Sequence, residues 1–241
     1  MSEQVIYPGR DLEAMSFAVN YHRWILEIFS PYLGDHLAEI GAGTGAFSEL
    51  LLERRAASLS VVEPSTAMYQ MLKGHIERIE TPTKVKTYNA LFSNVADEIK
   101  QQQQPDSIIY VNVMEHIQDD MAELDAVWRT LERGGRLFLF VPAIPGLYGA
   151  FDREVGHFRR YMKAELEEKC RRAGFKVLQS TYFDLIGVVP WWVKYCLFNS
   201  STLEAGAVKL YDKYVVCIAK AIESVFKPPI GKNVLLVAEK T

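Results

Sequence analysis

Short apolar runs alternate with longer amphipathic stretches through the middle of the chain. Runs rich in β-branched and aromatic residues predict five strands, at 37–41, 58–63, 84–88, 106–113 and 135–142. The stretches between them have the length and periodicity of helices, at 45–55, 65–78, 92–103 and 118–132. The fourth and fifth strands, "SIIYVNV" and "RLFLFV", are apolar almost throughout, as strands covered on both faces are. This alternation predicts a parallel sheet with helices on both faces.

The pattern changes on either side of this alternating region. Before it, apolar residues at near-helical spacing predict a helix over 11–33 that ends around Ser30-Pro31. After it, the loop-rich stretch "PAIPGLYGAFDREVGHFRRY" is too long for a plain connection. A helix at 162–173, a strand "FKVLQSTYF" and a last strand "NVLLVAEK" complete the predicted elements.

A helical insertion of about 50 residues separates the last two strands. It contains "WWVKYCLF" and an amphipathic helix from about 203 to 226. One face of that helix carries Leu203, Leu210, Tyr214, Ile218, Ala221 and Val225. No internal repeat or linker is visible, so we expect one α/β domain over residues 1–241.

Composition narrows the class of protein only slightly. Hydrophobic residues make up 49% and charged residues 24% of the 241 residues, which is ordinary for a globular protein. The net charge of −3 gives no reason to expect nucleic-acid binding. Three cysteines, none in a C-x-x-C pair, argue against a disulfide framework or zinc site and favour a reduced, cytoplasmic setting.

No segment of the sequence predicts a membrane span or a secretory leader. The N-terminal "MSEQVIYPGRDLEAM" has neither a basic start nor an apolar core. The longest apolar run, "LIGVVPWWV", has about half the length that a spanning helix needs. A peripheral contact of Trp191 and Trp192 with a lipid interface stays open.

A glycine-rich loop, "EIGAGTGA", joins the first strand to the helix that follows. Gly41, Gly43 and Gly45 supply either positive φ or room for a ligand against the main chain. The loop satisfies the dinucleotide pattern G-x-G-x-x-G/A, with Ala46 in the last place. It also satisfies E/D-x-G-x-G-x-G, with Glu39 in front. A tight turn without any ligand would satisfy both patterns as well.

Glu63 favours a nucleoside ligand for this loop. It ends the second strand, 22 residues after Gly41, where a carboxylate can accept hydrogen bonds from both ribose hydroxyls. Glu39 favours a nucleoside that carries an ammonium group over a dinucleotide, because its carboxylate attracts an ammonium group and repels a pyrophosphate. In "YNAL", after the third strand, Asn89 can donate to and accept from an adenine edge.

With these motifs the chain resembles the class I S-adenosylmethionine-dependent methyltransferases. "EIGAGTG" is similar to their first motif, "VVEPS" to their acidic second strand, "PDSIIYVNVMEHI" to their fourth strand and "LERGGRLFLFVPA" to their fifth. The resemblance covers residues 37 to about 142 in order and spacing. The tail, "LYGAFDREVGHFRRYMKAELEEKCRRAGFKVL", is similar to a bacterial small-molecule subgroup. Asn89 departs from the family pattern, in which an aspartate is more usual, and this changes the adenine contact only in detail.

The resemblance implies a Rossmann-like, doubly wound α/β fold. Its seven-stranded sheet would be mostly parallel, with an antiparallel last strand and a helical insertion before that strand. The successive parts would be an N-terminal helix (1–34), a cofactor-binding half (35–142), a substrate-side half (143–184), a helical lid (185–228) and the last strand (229–241).

The resemblance also implies S-adenosyl-L-methionine as cofactor. Its methionine end would lie across loop 41–45, with the ribose diol on Glu63 and the adenine in the turns that follow. Tyr21 could close over the methionine end or serve only to pack the leading helix. The implied cofactor residues are Tyr21, Glu39, Gly41, Ala42, Gly43, Gly45, Glu63, Pro64, Met68, Asn89, Ala90, Leu91, Asn112 and Val113.

Candidates for the methyl acceptor lie after the fifth strand. His157 can act as a general base or as a structural hydrogen-bonding group. Arg159 and Arg160 can clamp an anionic substrate, or pair with Asp152 or Glu154 to hold their loop. The aromatic candidates can line an apolar pocket or pack the core. The predicted substrate residues are Tyr148, Arg160, Tyr161, Trp191 and Trp192.

The other histidines give no sign of a metal centre. His116 is interpreted as a residue at a helix start, satisfied by the backbone. His22, His36 and His75 have no carboxylate or cysteine partners at ligand spacing, so we expect no metal.

These observations predict a methyltransferase that acts on an oxygen, nitrogen or carbon of a small, partly apolar molecule. Two other classes stay open at this stage. One is a nicotinamide-dependent oxidoreductase, against which Glu39 and the fourth- and fifth-strand motifs count. The other is a non-catalytic module that binds a cofactor or docks a partner through the exposed face of the 203–226 helix. The acceptor and the oligomeric state are not determined by the sequence.

Overall fold

The structure is a computed structural model that describes residues 18–241. Its strands are β1 (His36–Ile40), β2 (Ser58–Val62), β3 (Lys84–Tyr88), β4 (Ser107–Val111), β5 (Arg136–Pro142), β6 (Phe175–Phe183) and β7 (Asn233–Lys240). Its α-helices are α1 (Val19–Phe29), α2 (Ala46–Glu53), α3 (Thr66–Ile76), α4 (Phe92–Gln103), α5 (Asp120–Thr130), α6 (Ala150–Glu154), α7 (Lys163–Arg172), α8 (Val188–Trp191), α9 (Ala205–Leu210) and α10 (Val216–Val225). Short 3₁₀ turns lie at Ser30–Tyr32, Met114–His116 and Pro145–Leu147, and π-helical turns at Trp192–Leu197 and Tyr211–Val215.

The seven strands form one sheet in the order β3-β2-β1-β4-β5-β7-β6. Strands β1 to β5 pair in parallel, and β7 runs antiparallel to both of its neighbours, β5 and β6. The mostly parallel, doubly wound sheet with an antiparallel last strand is therefore confirmed. The insertion also lies where the sequence predicts it, between β6 and β7.

Two apolar layers cover the two faces of the sheet. Alternate residues of β5 illustrate the division, since Leu137 and Leu139 pack into one layer while Phe138 and Phe140 pack into the other. Helices α4, α5 and α7 contribute to the first layer, and α1, α2 and α10 to the second. The central strands read as continuous apolar runs because both of their faces are buried.

The predicted strand boundaries agree with the structure to within two residues. Strand β4 ends at Val111 rather than at 113, because Asn112 adopts a positive φ of 54° and turns the chain out of the sheet. The described part of the predicted 11–33 helix is α1 and the 3₁₀ turn after it. Residues 11–17 of that predicted helix, and the N-terminal segment 1–15, lie outside the described residues.

The predicted 203–226 helix is a continuous helical stretch made of α9, a π-helical turn and α10. Its apolar stripe exists, but it faces solvent: Leu210, Tyr214, Ile218 and Val225 are all exposed. The side that packs against the protein instead carries Asp212, Val216 and Ala219. No helix within residues 18–241 is long and apolar enough to cross a membrane.

We predict that Gly41→Ala will destabilise the fold by about 2–5 kcal/mol. Gly41 has a φ of 69°, and an added Cβ would lie 2.5 Å from Cγ2 of Val113, so backbone strain and overpacking would add. Gly134→Ala is the matched control, because Gly134 has a φ of 78° but open space around its Cβ position. It should cost only about 1–2 kcal/mol. Equal losses in urea unfolding would contradict close packing at Gly41.

Candidate active site

A cavity of about 290 Å³ lies at the carboxyl ends of β1, β4 and β5. The strand order reverses between β1 and β4, which is the place where open α/β sheets bind ligands. The walls of the cavity come from the β1 loop, the β4 loop, the segment 151–160, the insertion after β6, and Tyr21 of α1.

The β1 loop is shaped by three glycines with positive φ, 69° at Gly41, 58° at Gly43 and 92° at Gly45. The N–H groups of Gly41 and Ala42 both donate to the Val62 carbonyl, over 2.8 and 3.1 Å. Helix α2 begins after Gly45 without a side-chain cap. The loop is thus fixed to the end of β2 while the first N–H groups of α2 stay available to a polar ligand.

Glu63 is buried and held by the backbone at the end of β2. Its two carboxylate oxygens accept hydrogen bonds from the N–H groups of Gly43 and Ser65, each over 2.8 Å. Each oxygen can accept one more, so the carboxylate is oriented and still able to bind a diol. Burial raises the pKa of Glu63, although the two N–H donors oppose this effect.

Asn89 supports this turn in a way that the sequence does not predict. Its side-chain amide donates to the carbonyls of Glu63 and Pro64, over 2.9 and 3.2 Å, and its oxygen accepts from Thr66. These bonds occupy the groups that were expected to meet an adenine edge. Of the predicted cofactor residues, Tyr21, Glu39, Gly41, Ala42 and Asn112 line the cavity. The others lie outside its lining: Gly43, Gly45, Glu63, Pro64, Met68, Asn89, Ala90, Leu91 and Val113.

Glu39 is the buried carboxyl group of the cavity wall. Glu39 lies on β1, just before the glycine loop, and is 3% exposed. The Ser48 hydroxyl donates a hydrogen bond to its carboxyl group. Burial raises the pKa of Glu39 to about 8, with the charge of Glu63 acting in the same direction. A cationic group entering the cavity would reverse this shift, so Glu39 is suited to an ammonium ligand.

Asn112, Val113 and Tyr21 complete the predicted cofactor set. Asn112 lines the cavity with its positive φ, which asparagine tolerates better than most residues. Val113 occupies the space where a side chain on Gly41 would lie. Tyr21 lines the cavity, and its hydroxyl bonds to Asp184 and Asn233 at 3.2 and 3.0 Å, so it is a cavity residue and a packing residue at once.

A buried acid–base cluster joins the β4 loop to the segment after β5. The Nδ1 atom of His157 lies 2.8 Å from Oδ1 of Asp152, and its Nε2 atom lies 3.9 Å from Oε1 of Glu115. The other carboxylate oxygen of Glu115 is buried without a hydrogen-bond partner. Burial raises the pKa of Glu115 to about 7, while the charge of His157 opposes the rise.

His116 belongs to the same cluster, a contact that the sequence does not predict. Its ring packs edge-to-face on that of His157, with 4.6 Å between the centroids, and burial lowers its pKa to about 3. One donor atom each from Glu115, His116 and His157 lies within 4.8 Å of the others. The available signal was Glu115 beside His116 in "MEHI", directly after an apolar strand.

The predicted substrate residues divide into two groups. Arg160 and Trp191 line the cavity, whereas Tyr148, Tyr161 and Trp192 do not. Arg160 is buried, and its Nε donates to Asp152 over 2.8 Å, as the structural alternative predicts. The Trp191 ring lies 4.7 Å from its guanidinium carbon.

The three residues outside the cavity have other partners or surroundings. The Tyr148 hydroxyl donates to the His157 carbonyl over 2.6 Å. The Tyr161 hydroxyl donates to the Met114 carbonyl and to Asp120, and the side chain is fully buried. Trp192 is 46% exposed.

A second charged cluster, also missed from the sequence, lies where β6 leads into the insertion. Lys232 forms an ion pair with the buried Asp184 over 2.8 Å, and the Tyr211 hydroxyl donates to the same carboxylate. Burial acts to raise the pKa of Asp184, but Lys232 holds it below its usual value. The Lys232 ammonium also lies over the Tyr21 ring, 4.8 Å from its centroid. This cluster ties the insertion to the cavity wall.

The sheet order and the position of the loop define a Rossmann-like methyltransferase fold. A family model described as "Methyltransferase domain" matches residues 19–180. The chain therefore belongs to this methyltransferase family. As the sequence predicts, it is an S-adenosylmethionine-dependent methyltransferase of class I, with S-adenosylmethionine as the family's cofactor. The match does not address the bacterial small-molecule subgroup, which stays a prediction.

Solved structures support the fold assignment at low sequence identity. A chain from the Haloferax volcanii complex of the Trm112 methyltransferase activator with a methyltransferase is 14% identical, with 96% of this chain and 93% of that chain covered and a TM-score of 0.63. A cyclopropane synthase from Mycobacterium tuberculosis is 16% identical, with 86% and 79% covered and a TM-score of 0.55. A magnesium protoporphyrin IX methyltransferase from Synechocystis, with bound S-adenosylhomocysteine, is 11% identical, with 92% and 84% covered and a TM-score of 0.55. A search of curated protein sequences found no match.

We predict that Glu39→Gln will change the pH dependence of stability. The folded-state pKa of Glu39, about 8, lies above the value of an unfolded glutamate, so the folded chain holds this proton to higher pH. The protonated Glu39 carboxyl therefore contributes to the free energy of unfolding at low pH. This contribution is lost as the pH rises from about 5 to 8, by up to about 1.4 kcal/mol per pH unit. The variant should lack this loss and gain stability relative to wild type over the same range.

Urea unfolding at several pH values measures the difference directly. Glu53→Gln, an exposed position on the same α2 helix, is the control and should keep the wild-type slope. If Glu39→Gln and wild type show parallel pH profiles, the carboxyl of Glu39 is ionised in the folded protein and the raised pKa is wrong.

Proposed function

We propose that this enzyme transfers a methyl group from S-adenosylmethionine to an oxygen, nitrogen or carbon of a small, partly apolar acceptor. The observation that carries the proposal is the continuity of one cavity. It extends from Glu39 and Asn112 at the predicted cofactor loop to His157 and to Trp191 of the insertion. A methyl donor at one end and an acceptor at the other would share this space.

The chemistry of the donor set fits the cofactor. Glu39 offers a buried carboxyl group for an ammonium, and Glu63 offers an oriented carboxylate for a ribose diol. Gly41 and Ala42 line the cavity, and the positive φ values of Gly41, Gly43 and Gly45 shape the loop that presents them. Cofactor binding is therefore assigned to the β1 loop and the β2 turn, with Asn89 positioning Glu63 through its carbonyl.

The acceptor half of the cavity is mostly apolar. Phe151, Trp191 and Tyr195 form one aromatic cluster, with centroids 4.4 to 5.3 Å apart. Leu203 packs against the same cluster. The polar side chains of this half form two groups, one around His157 and Arg160 and the other around Lys232 and Asn233. Apolar walls with a small number of placed polar groups are typical of sites that bind partly apolar ligands. The argument for a partly apolar acceptor rests on these residues.

When bound, S-adenosylmethionine supplies a methyl group on a positively charged sulfur. The residues of the chain hold the acceptor in line with that group and exclude water. For an acceptor with a hydroxyl or amine, Nε2 of His157 accepts the proton, while Asp152 holds the other ring nitrogen and so fixes the tautomer. Arg160 donates to the same Asp152 oxygen. The Asp152 carboxylate thus connects the His157 imidazole to Arg160 in the cavity wall.

Cofactor binding is the first test. S-Adenosylhomocysteine should bind and raise the melting temperature, and Glu63→Ala should weaken binding by about 1.5–3 kcal/mol, because charge-assisted hydrogen bonds to the diol are lost. Glu53→Ala, on the exposed face of α2, should bind like wild type. Calorimetry with NAD in parallel should show no binding. A thermal shift with NAD alone would overturn the proposal.

The second test concerns the proton acceptor. His157→Ala should lower turnover by about 10²–10⁴-fold and leave affinity for S-adenosylhomocysteine almost unchanged, because the ring lies beyond the cofactor loop. The acceptor for the assay can be found by screening apolar alcohols, phenols and amines for S-adenosylhomocysteine release. The acidic limb of the pH–rate profile should disappear in the variant.

Tyr148→Phe is the matched control for this loop, since it removes only a hydrogen bond to the His157 carbonyl. It should retain the acidic limb. If His157→Ala also keeps the limb and loses mainly thermal stability, His157 is structural and is not the base.

A further inference from the structure

The exposed apolar side chains of this protein are concentrated in one region. Of the sixteen large hydrophobic side chains that are exposed within residues 18–241, eleven lie between 189 and 230. They are Val189, Trp192, Leu197, Phe198, Leu210, Tyr214, Ile218, Ile222, Val225, Phe226 and Ile230. Single exposed hydrophobic residues are ordinary, but a concentration of this kind marks an interaction surface.

Helical spacing arranges the central members of this set in a stripe. Leu210, Tyr214, Ile218 and Val225 follow one another at intervals of four, four and seven residues along α9, the π-helical turn and α10. They are 62%, 56%, 57% and 88% exposed. The stripe does not result from a loosely held helix, because Asp212 on the opposite side accepts from the N–H groups of Asn20 and Tyr21.

Basic residues border the stripe. Lys209, Lys213 and Lys220 recur at intervals of four and seven residues on the adjacent side of the helix, and Lys227 follows its end. Residues 185–232 contain six lysines and three acidic residues in a chain with a net charge of −3. Lys194, Lys220 and Lys232 form ion pairs with Glu204, Glu27 and Asp184, so the excess positive charge beside the stripe rests mainly on Lys213 and Lys227. An apolar stripe with a lysine border is the pattern of helices that lie in the plane of an anionic membrane surface.

The same segments form the wall of the cavity. Pro190 and Trp191 line it from the first part of the insertion, and Ala207, Val208 and Tyr211 from α9 and the turn after it. Exposed Val189, Trp192 and Leu210 are thus direct chain neighbours of Pro190, Trp191 and Tyr211 in the cavity wall.

We infer that the surface formed by the exposed apolar residues of 189–230 and their lysine border docks on membranes that contain anionic phospholipids. The docking itself does not depend on the proposed function. A consequence that does rest on it is that the acceptor is a membrane-dissolved, partly apolar molecule, which enters the cavity from the docked face. A second copy of the chain or a protein partner on this surface is the alternative occupant.

Vesicle sedimentation tests the inference. The full-length protein should co-sediment with phosphatidylcholine vesicles that contain one third phosphatidylglycerol, and much less with pure phosphatidylcholine or at high salt. Ile218→Glu combined with Val225→Glu should lower the partition coefficient by about tenfold or more, because two charges would enter the interface. Lys213→Gln with Lys227→Gln should lower binding by about ten- to thirtyfold on the anionic vesicles alone.

Met71→Glu is the control, since Met71 is 54% exposed on α3 and lies outside this surface. It should bind vesicles like wild type. Wild-type protein that does not bind anionic vesicles, or a glutamate pair that binds like wild type, would overturn the inference. A wild-type dimer in light scattering that the glutamate pair converts to monomer would assign the surface to a second copy instead.

Calorimetry with S-adenosylhomocysteine on the same variants separates this inference from the proposed function. Ile218 and Val225 do not line the cavity, so the glutamate pair should retain wild-type cofactor affinity. Vesicle binding without cofactor binding would overturn the proposed function and keep the docking surface. The reverse result would overturn the docking surface alone.

Discussion

The site depends on the close approach of two loops where the strand order reverses. Gly41 and Ala42 donate to the same carbonyl, that of Val62, and Val113 fills the space that a side chain on Gly41 would need. These contacts join the ends of β1, β2 and β4 into one rigid unit. Gly43 then points its N–H at Glu63, so a single constraint on backbone shape also orients the carboxylate. Rigid elements of this kind allow a nucleoside to bind without ordering the loop first.

The two halves of the cavity differ in how they are held together. The cofactor half is fixed by backbone hydrogen bonds and close packing, whereas the acceptor half is fixed by buried charges. Asp152 pairs with His157 and Arg160, and Asp184 forms an ion pair with Lys232. Such pairs are weak evidence for stability but impose definite orientations on the side chains involved.

Much of the fold could be predicted from the sequence, because its signals are local. Apolar runs of strand length, the glycine loop and the strand-end position of Glu63 are each contained in fewer than ten residues. The acid–base cluster could not be predicted in the same way, since Glu115 and His157 are 42 residues apart and meet only in the folded chain. Periodicity also predicts a stripe on the 203–226 helix but not its direction. The opposite face of the helix packs against the protein because Asp212 accepts hydrogen bonds from α1. These hydrogen bonds have no signature in the sequence.

A crystal structure with S-adenosylhomocysteine tests the central claim most directly. The account predicts that the amino group lies within hydrogen-bond distance of Glu39 and that the ribose diol lies on Glu63. The sulfur should face the part of the cavity that contains His157. A nucleoside bound away from the β1 loop, or a sulfur directed away from the His157 side, would contradict the account.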